Sequence, residues 1–213
     1  MNTEPLQVKR SGDFYYPIYF EEGFDSLADA IRTEKLDGRK MCIVSDTNVA
    51  PLYADALKSA LSSVASSISL FVFEAGEKSK HLHTVQDLYE KLIESELDRK
   101  SLIVALGGGV VGDLAGFSAA TYLRGIDFIQ VPTTLLAQVD SSVGGKTGVD
   151  FNQYKNMVGA FHQPSLVYIN VPVLKTLPDD QLASGVGELL KYGLSFDADF
   201  YEWCIEHMEE IDE

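Results

Sequence analysis

The sequence predicts an α/β protein: a parallel-sheet nucleotide-binding domain followed by the beginning of an all-helical domain. Short apolar runs of strand character alternate with helix-period segments over residues 15–169, which is the pattern of consecutive βαβ units. One of these runs, in SLIVALGGGVVGD (residues 101–113), ends in glycines and reopens as a helix with Asp113 in its first turns. Beyond Pro178 only helical patterning follows. The expected division is residues 1–177 for the α/β domain and 178–213 for the first helices of an incomplete helical domain.

The elements read in order as follows. Aromatic and β-branched residues make 15–20 a strand, and 27–34 a short helix. The continuous apolar run RKMCIVS (39–45) is a buried strand, and 49–63 is helical. SISLFVF (67–73) is a strand. Residues 84–96 form an amphipathic helix, with Val85, Leu88, Tyr89, Leu92 and Ile93 on one face. Strand 102–106 leads through the glycines into helix 111–122, and 128–131 is the next strand. Residues 134–140 are helical, and the Gly-, Lys- and Asn-rich stretch 141–159 is expected to be loop. A short strand at 166–169 precedes a helix that Pro178 opens and that runs to about 192, then a second helix over 197–208.

Composition excludes several function classes. A net charge of −15 over 213 residues argues against nucleic-acid and membrane-surface partners. An anionic ligand must then be met by locally clustered Lys and Arg. Cys42 and Cys204 lie in element-like segments far apart, which suits reduced buried thiols in a cytosolic protein. No basic-plus-apolar leader is present, and no apolar run reaches the ~18 residues of a membrane span. A cytoplasmic location is expected.

Ligands of parallel α/β sheets bind beyond the carboxyl ends of the strands. Those ends carry Asp46 and Asn48 after 39–45, and Gly76, Glu77 and Lys80 after 67–73. The glycines and Asp113 follow 102–106, and Thr133 and Thr134 follow 128–131. All four ends are polar and turn-forming, so one ligand could touch them all. Gly107, Gly109 and Gly112 satisfy G-x-G-x-x-G, whose usual companion is an acid about 20 residues on that binds ribose. Asp127 has that spacing but begins a strand, at the wrong edge, and reads as a strand-edge residue.

A second cluster comprises Asp140, Ser141, Ser142, Gly144, Gly145, Lys146 and Thr147, with Lys155 and Asn156 after it and Arg124 before it. It gathers three cations on one expected rim of an acidic chain, as a phosphorylated small molecule requires. Glu188 lies among apolar helical neighbours, Val186, Leu189, Leu190 and Leu194, and needs a cation, either Lys191 at i+3 or a metal. His81, His83, His162 and His207 show no metal-ligand spacing.

Three stretches carry a resemblance: LGGGVVGDLAGFSAATYLRGIDFIQVPTTLLAQVDSSVGGKTGVD, KNMVGAFHQP and LKTLPDDQLASGVGELLKYG closely resemble the 3-dehydroquinate synthase family over about residues 46–192. The resemblance implies an N-terminal NAD-binding α/β domain and a C-terminal helical metal-binding domain, as in the glycerol-dehydrogenase and iron-alcohol-dehydrogenase group. It implies conversion of 3-deoxy-D-arabino-heptulosonate 7-phosphate to 3-dehydroquinate and phosphate, in the shikimate route to aromatic amino acids. NAD is used catalytically, with a divalent metal, zinc or cobalt. By the same resemblance Asp46, Asn48, Glu77, Lys80, Gly108, Gly109, Val110, Asp113, Thr133, Thr134, Lys155 and Thr176 fall on NAD-binding positions. Arg124, Asp140, Lys146, Asn156 and Lys191 fall on substrate positions, Arg124 reaching across a homodimer, and Glu188 falls on a metal ligand.

The family's other metal ligands are two histidines of the C-terminal domain, and His207 lies too near Glu188 to be either. The expectation is therefore a shortened chain that binds NAD and is inactive alone. Sister cyclases that make 2-deoxy-scyllo-inosose or valiolones rank second, because KNMVGAFHQP looks more like the dehydroquinate enzyme. An NAD-dependent polyol dehydrogenase and a non-catalytic NAD-binding module rank below them.

Overall fold

The computed structural model describes residues 4–10 and 13–211. The chain enters through β1 (Leu6–Arg10) and β2 (Asp13–Glu21). It then alternates α1 (Leu27–Thr33), β3 (Lys40–Asp46), α2 (Ala50–Leu61), β4 (Ser67–Phe73), α3 (Leu82–Glu94), β5 (Leu102–Gly107), α4 (Gly109–Thr121) and β6 (Asp127–Pro132). A hairpin of β7 (Lys146–Phe151) and β8 (Tyr154–Phe161) leads to β9 (Leu166–Asn170), and α5 (Asp179–Phe196), α6 (Ala198–Glu206) and α7 (Met208–Ile211) follow. The main sheet has seven strands in the order β1-β2-β9-β6-β5-β3-β4, all parallel except β1.

The strand sequences explain the layering. β3 buries five consecutive residues and β5 all six, because a parallel sheet is covered on both faces. Met41 and Ile43 pack with Leu27 and Ile31 of α1 and Leu57 and Leu61 of α2. Cys42 and Val44 point the other way, to Val85 and Leu88 of α3 and Val111 and Leu114 of α4. The result is a helix–sheet–helix sandwich of the α/β class, followed by helices α5, α6 and α7. Because β4 lies on one side of β3 and β5 on the other, the winding reverses between β3 and β5. In this architecture such a reversal opens a crevice at the carboxyl edge.

The main departure from the sequence reading is 141–159. Its second part is no loop: β7 and β8 pair antiparallel, Phe151 opposite Tyr154, around Asn152, whose φ is +53°. Gly148 sits opposite Gly159, and a Cβ on Gly159 would lie 2.3 Å from the Thr147 carbonyl oxygen. The glycines that disguised the segment as loop are there because the two backbones approach closely. The edge strand β1 also escaped notice, since its side chains carry no buried stripe. Smaller shifts have local causes: α3 starts at Leu82 because the His81 ring accepts from Thr84 N at 3.2 Å as a cap, and α5 runs one turn past 192. Asp127 is a strand-edge residue as expected, paired with Arg39 at 2.5 Å.

Candidate active site at the carboxyl edge

Four adjacent strands, β4, β3, β5 and β6, bring the predicted ligand-binding ends side by side. At the end of β3, Asp46 Oδ1 accepts from the backbone N–H groups of Asn48 (2.9 Å) and Val49 (3.0 Å). Beyond β5, Gly108 precedes α4, whose first N–H groups face this edge. Thr133 N–H donates to the Gly107 carbonyl at 3.0 Å, joining the ends of β5 and β6.

The glycine loop is packed as well as open. A Cβ on Gly108 would lie 2.9 Å from Thr134 Cγ2, and one on Gly109 3.0 Å from Ser141 Oγ. The segment following β6 thus presses directly on the loop, a constraint the sequence pattern did not separate from ligand approach. Thr133 Oγ1 and Ser141 Oγ, both on this segment, are buried without a hydrogen-bond partner among the described residues.

Lys80 is the hub of the edge. It is 5% exposed, and its Nζ donates to Asp113 Oδ2 at 2.5 Å and to Asn156 Oδ1 at 2.6 Å. Asn156 has a φ of +55° and donates its N–H to Asp150 Oδ1 at 2.7 Å. Asp150 N–H in turn donates to the Lys80 carbonyl at 2.8 Å. The end of β4, the start of α4 and the hairpin are therefore tied through one ammonium. Burial pushes the Asp113 carboxyl above the ordinary carboxylate range despite that ammonium, and Glu77 and Asp150 push the same way. Lys155 pairs with Glu77 at 3.2 Å on the surface above.

Beside this network lies a cavity of about 540 Å³, whose walls include Asp113, Asp140, Ser141, Lys146, Thr147 and Asn156. Asp140 stands on a π-helical turn, Ala137–Ser141, a form often found at functional sites. Its Oδ1 accepts from the Tyr192 hydroxyl of α5 at 2.6 Å. Glu188, with its side chain only 14% exposed, pairs with Lys191 at 2.6 Å, and that contact holds the Lys191 ammonium above its usual range.

Two predicted residues stand apart. Arg124 lies in the turn at the far end of α4, about 20 Å along that helix from Gly109, and is not among the cavity walls. Of the three expected cations, Lys146 stands in the cavity wall and Arg124 and Lys155 do not. Thr176 bonds the Tyr53 hydroxyl at 2.5 Å, beside α2. The sequence reading missed Tyr192 and Asp150. Tyr192 is four residues from Glu188, so helical spacing was its signal. Asp150 had none. Among the described residues no three His, Cys, Asp or Glu side chains come together as a metal site, so Glu188 supplies a single carboxylate.

The family described as "3-dehydroquinate synthase N-terminal" matches residues 70–184, more than half of the chain. The chain belongs to the 3-dehydroquinate synthase family. A 3-dehydroquinate synthase of Symbiobacterium thermophilum is 52% identical over 193 residues, covering 90% of this chain and 54% of that protein. One from Acetivibrio thermocellus is 49% identical over 199 residues, covering 93% and 55%. The chain spans about half the length of the curated relatives it matches. Among solved structures, 2-epi-5-epi-valiolone synthase of Streptomyces hygroscopicus subsp. jinggangensis, with NAD+ and Zn2+ bound, aligns with a TM-score of 0.83 at 28% identity, over 97% of this chain and 57% of that one. The fold of this synthase-family chain is thus the sugar-phosphate cyclase fold.

Proposed function

We propose that this chain is the NAD-binding half of a 3-dehydroquinate synthase, a carbon–oxygen lyase of the shikimate pathway. The supporting observation is the cavity in which Asp113, Asp140, Lys146 and Asn156 stand beside the glycine loop, in a chain of this family. The sister-cyclase reading ranks lower, because curated dehydroquinate synthases reach 52% identity while the valiolone synthase stands at 28%. The substrate is 3-deoxy-D-arabino-heptulosonate 7-phosphate and the products are 3-dehydroquinate and phosphate. The location is cytoplasmic and the assembly a homodimer, with residues 1–177 the cofactor domain and 178–213 the start of a helical one.

The residues of the edge fit a dinucleotide. Bound NAD supplies a hydride acceptor that returns the hydride within the same turnover. Asp46 and Asn48 offer polar groups to a ribose, and Gly108, Gly109 and Val110 bring N–H groups and a helix N-terminus to the pyrophosphate. Thr133, Thr134, Glu77 and Lys155 line the approach. Lys80 and Asp113 hold the wall between cofactor and substrate rigid and nearly neutral. Lys146, Asn156 and Lys191 bind the anionic groups of the substrate, with Arg124 supplied by the neighbouring subunit. Asp140 accepts a hydrogen bond from a substrate hydroxyl and orients it.

A catalytic zinc needs about three protein ligands. The described residues offer Glu188 alone, so they do not fit a complete metal site.

Calorimetric titration of the chain with NAD tests the cofactor reading. Saturable heat that is lost in Gly109→Val is expected, and no heat with well-folded parent protein sinks it.

A further inference from the structure

We infer that Tyr192 is a positioning residue. Its hydrogen bond to Asp140, together with the seat of Gly185 on Leu135, fixes the register of α5 against the 137–141 turn and so sets how Glu188, between the two attachments, is oriented.

Gly185, Glu188 and Tyr192 are spaced i, i+3, i+7 and share one face of α5. At one end of this face Gly185 is buried, and a Cβ there would lie 2.5 Å from Leu135 Cβ and 2.8 Å from Leu136 N. The helix is therefore in backbone-close contact with the segment that leads into the π-helical turn. At the other end, two turns or about 10 Å away, Tyr192 OH reaches Asp140 Oδ1 at 2.6 Å. Glu188 lies between these two attachments. The Tyr192 ring is itself braced, with Phe196 at 6.2 Å between centroids and Lys191 Nζ 5.4 Å from its own centroid. The hydrogen bond to Asp140, then burial, push the Tyr192 hydroxyl up to about 12, so it stays a donor throughout the neutral range. A helix held at only one of these points could slide or rotate. Held at both, it presents Glu188 in one orientation.

That Glu188 is a metal ligand rests on the proposed function; the register does not, and the test uses neither metal nor turnover. Hydrogen exchange of α5 amides is measured in the parent chain, Tyr192→Phe, Asp140→Ala, Asp140→Asn and the Tyr192→Phe/Asp140→Ala double variant. Losing a charge-assisted hydrogen bond should speed exchange over 185–192 about tenfold in Tyr192→Phe and in Asp140→Ala. The double variant should be no faster than either. Asp140→Asn, which keeps an acceptor oxygen, should retain most of the protection, and α4 amides should be unaffected. Parent-like exchange in Tyr192→Phe overturns the inference, as do single effects that multiply in the double variant, or Asp140→Asn as fast as Asp140→Ala. NAD calorimetry on the same proteins reports separately on the proposed function.

Discussion

Lys80 and Asp113, 33 residues apart in sequence, meet at 2.5 Å at the mouth of the switch-point crevice. Their side chains are 6% and 20% exposed, so this pair is screened far less than the surface pairs around it. It couples the end of β4 to the first turns of α4 and, through Asn156, to the hairpin.

Removing the cation should therefore be costly. Lys80→Met leaves a largely buried carboxylate with no counter-charge, and a loss of roughly 3 kcal/mol is expected in urea unfolding. Adding Asp113→Asn should recover part of it. A single variant within about 0.5 kcal/mol of the parent would show that the pair contributes nothing to stability.

The raised Asp113 pKa predicts a definite pH trend. The folded chain holds this proton more tightly than the unfolded one, so Asp113 stabilises most below the ordinary carboxylate value near 4. That contribution is lost as pH rises through the folded pKa. Asp113→Asn has no such loss. The difference in melting temperature, variant minus parent, should become more positive from pH 3 to 6. A trend of opposite sign would mean that the Lys80 ammonium outweighs burial.

Gly109→Val should weaken NAD binding at least tenfold, about 1.4 kcal/mol, in calorimetry. Its side chain meets Ser141 Oγ and enters the space at the start of α4. Gly109→Ala/Ser141→Gly separates the two causes. If stability returns while affinity does not, the cofactor needs that space. Undiminished NAD binding by folded Gly109→Val is the result that refutes the cofactor assignment.

A polypeptide of these 213 residues should release no phosphate from the heptulosonate phosphate with NAD and zinc present. Zinc should bind weakly, and Glu188→Gln should hardly change that binding, since a single carboxylate falls short of the roughly three protein ligands that a zinc site needs. Turnover near 1 per second or faster would place the metal site elsewhere.

Much of this was legible in the chain itself. Short continuous apolar runs bounded by turn residues, such as 102–106, read as strands covered on both faces, and their alternation with amphipathic segments implies a parallel sheet. The glycine-to-helix junction after β5 and the polar strand ends followed from the same local rules, because turn chemistry is written in neighbouring residues. The hairpin was not legible, since Gly148 and Gly159 signal loop unless one knows that their backbones touch. Nor was the place of Arg124 outside the cavity wall, in the turn that follows α4. The contacts that shape the cavity, Lys80 to Asp113 and Asn156, and Tyr192 to Asp140, join residues 33 to 76 positions apart. Such pairs have no local signature. Residue type and spacing determined the parallel strands, the main helices and the candidate chemistry. Only the tertiary structure decided which side chains share a low-dielectric space, because that depends on strand order and helix length rather than on any neighbouring residue.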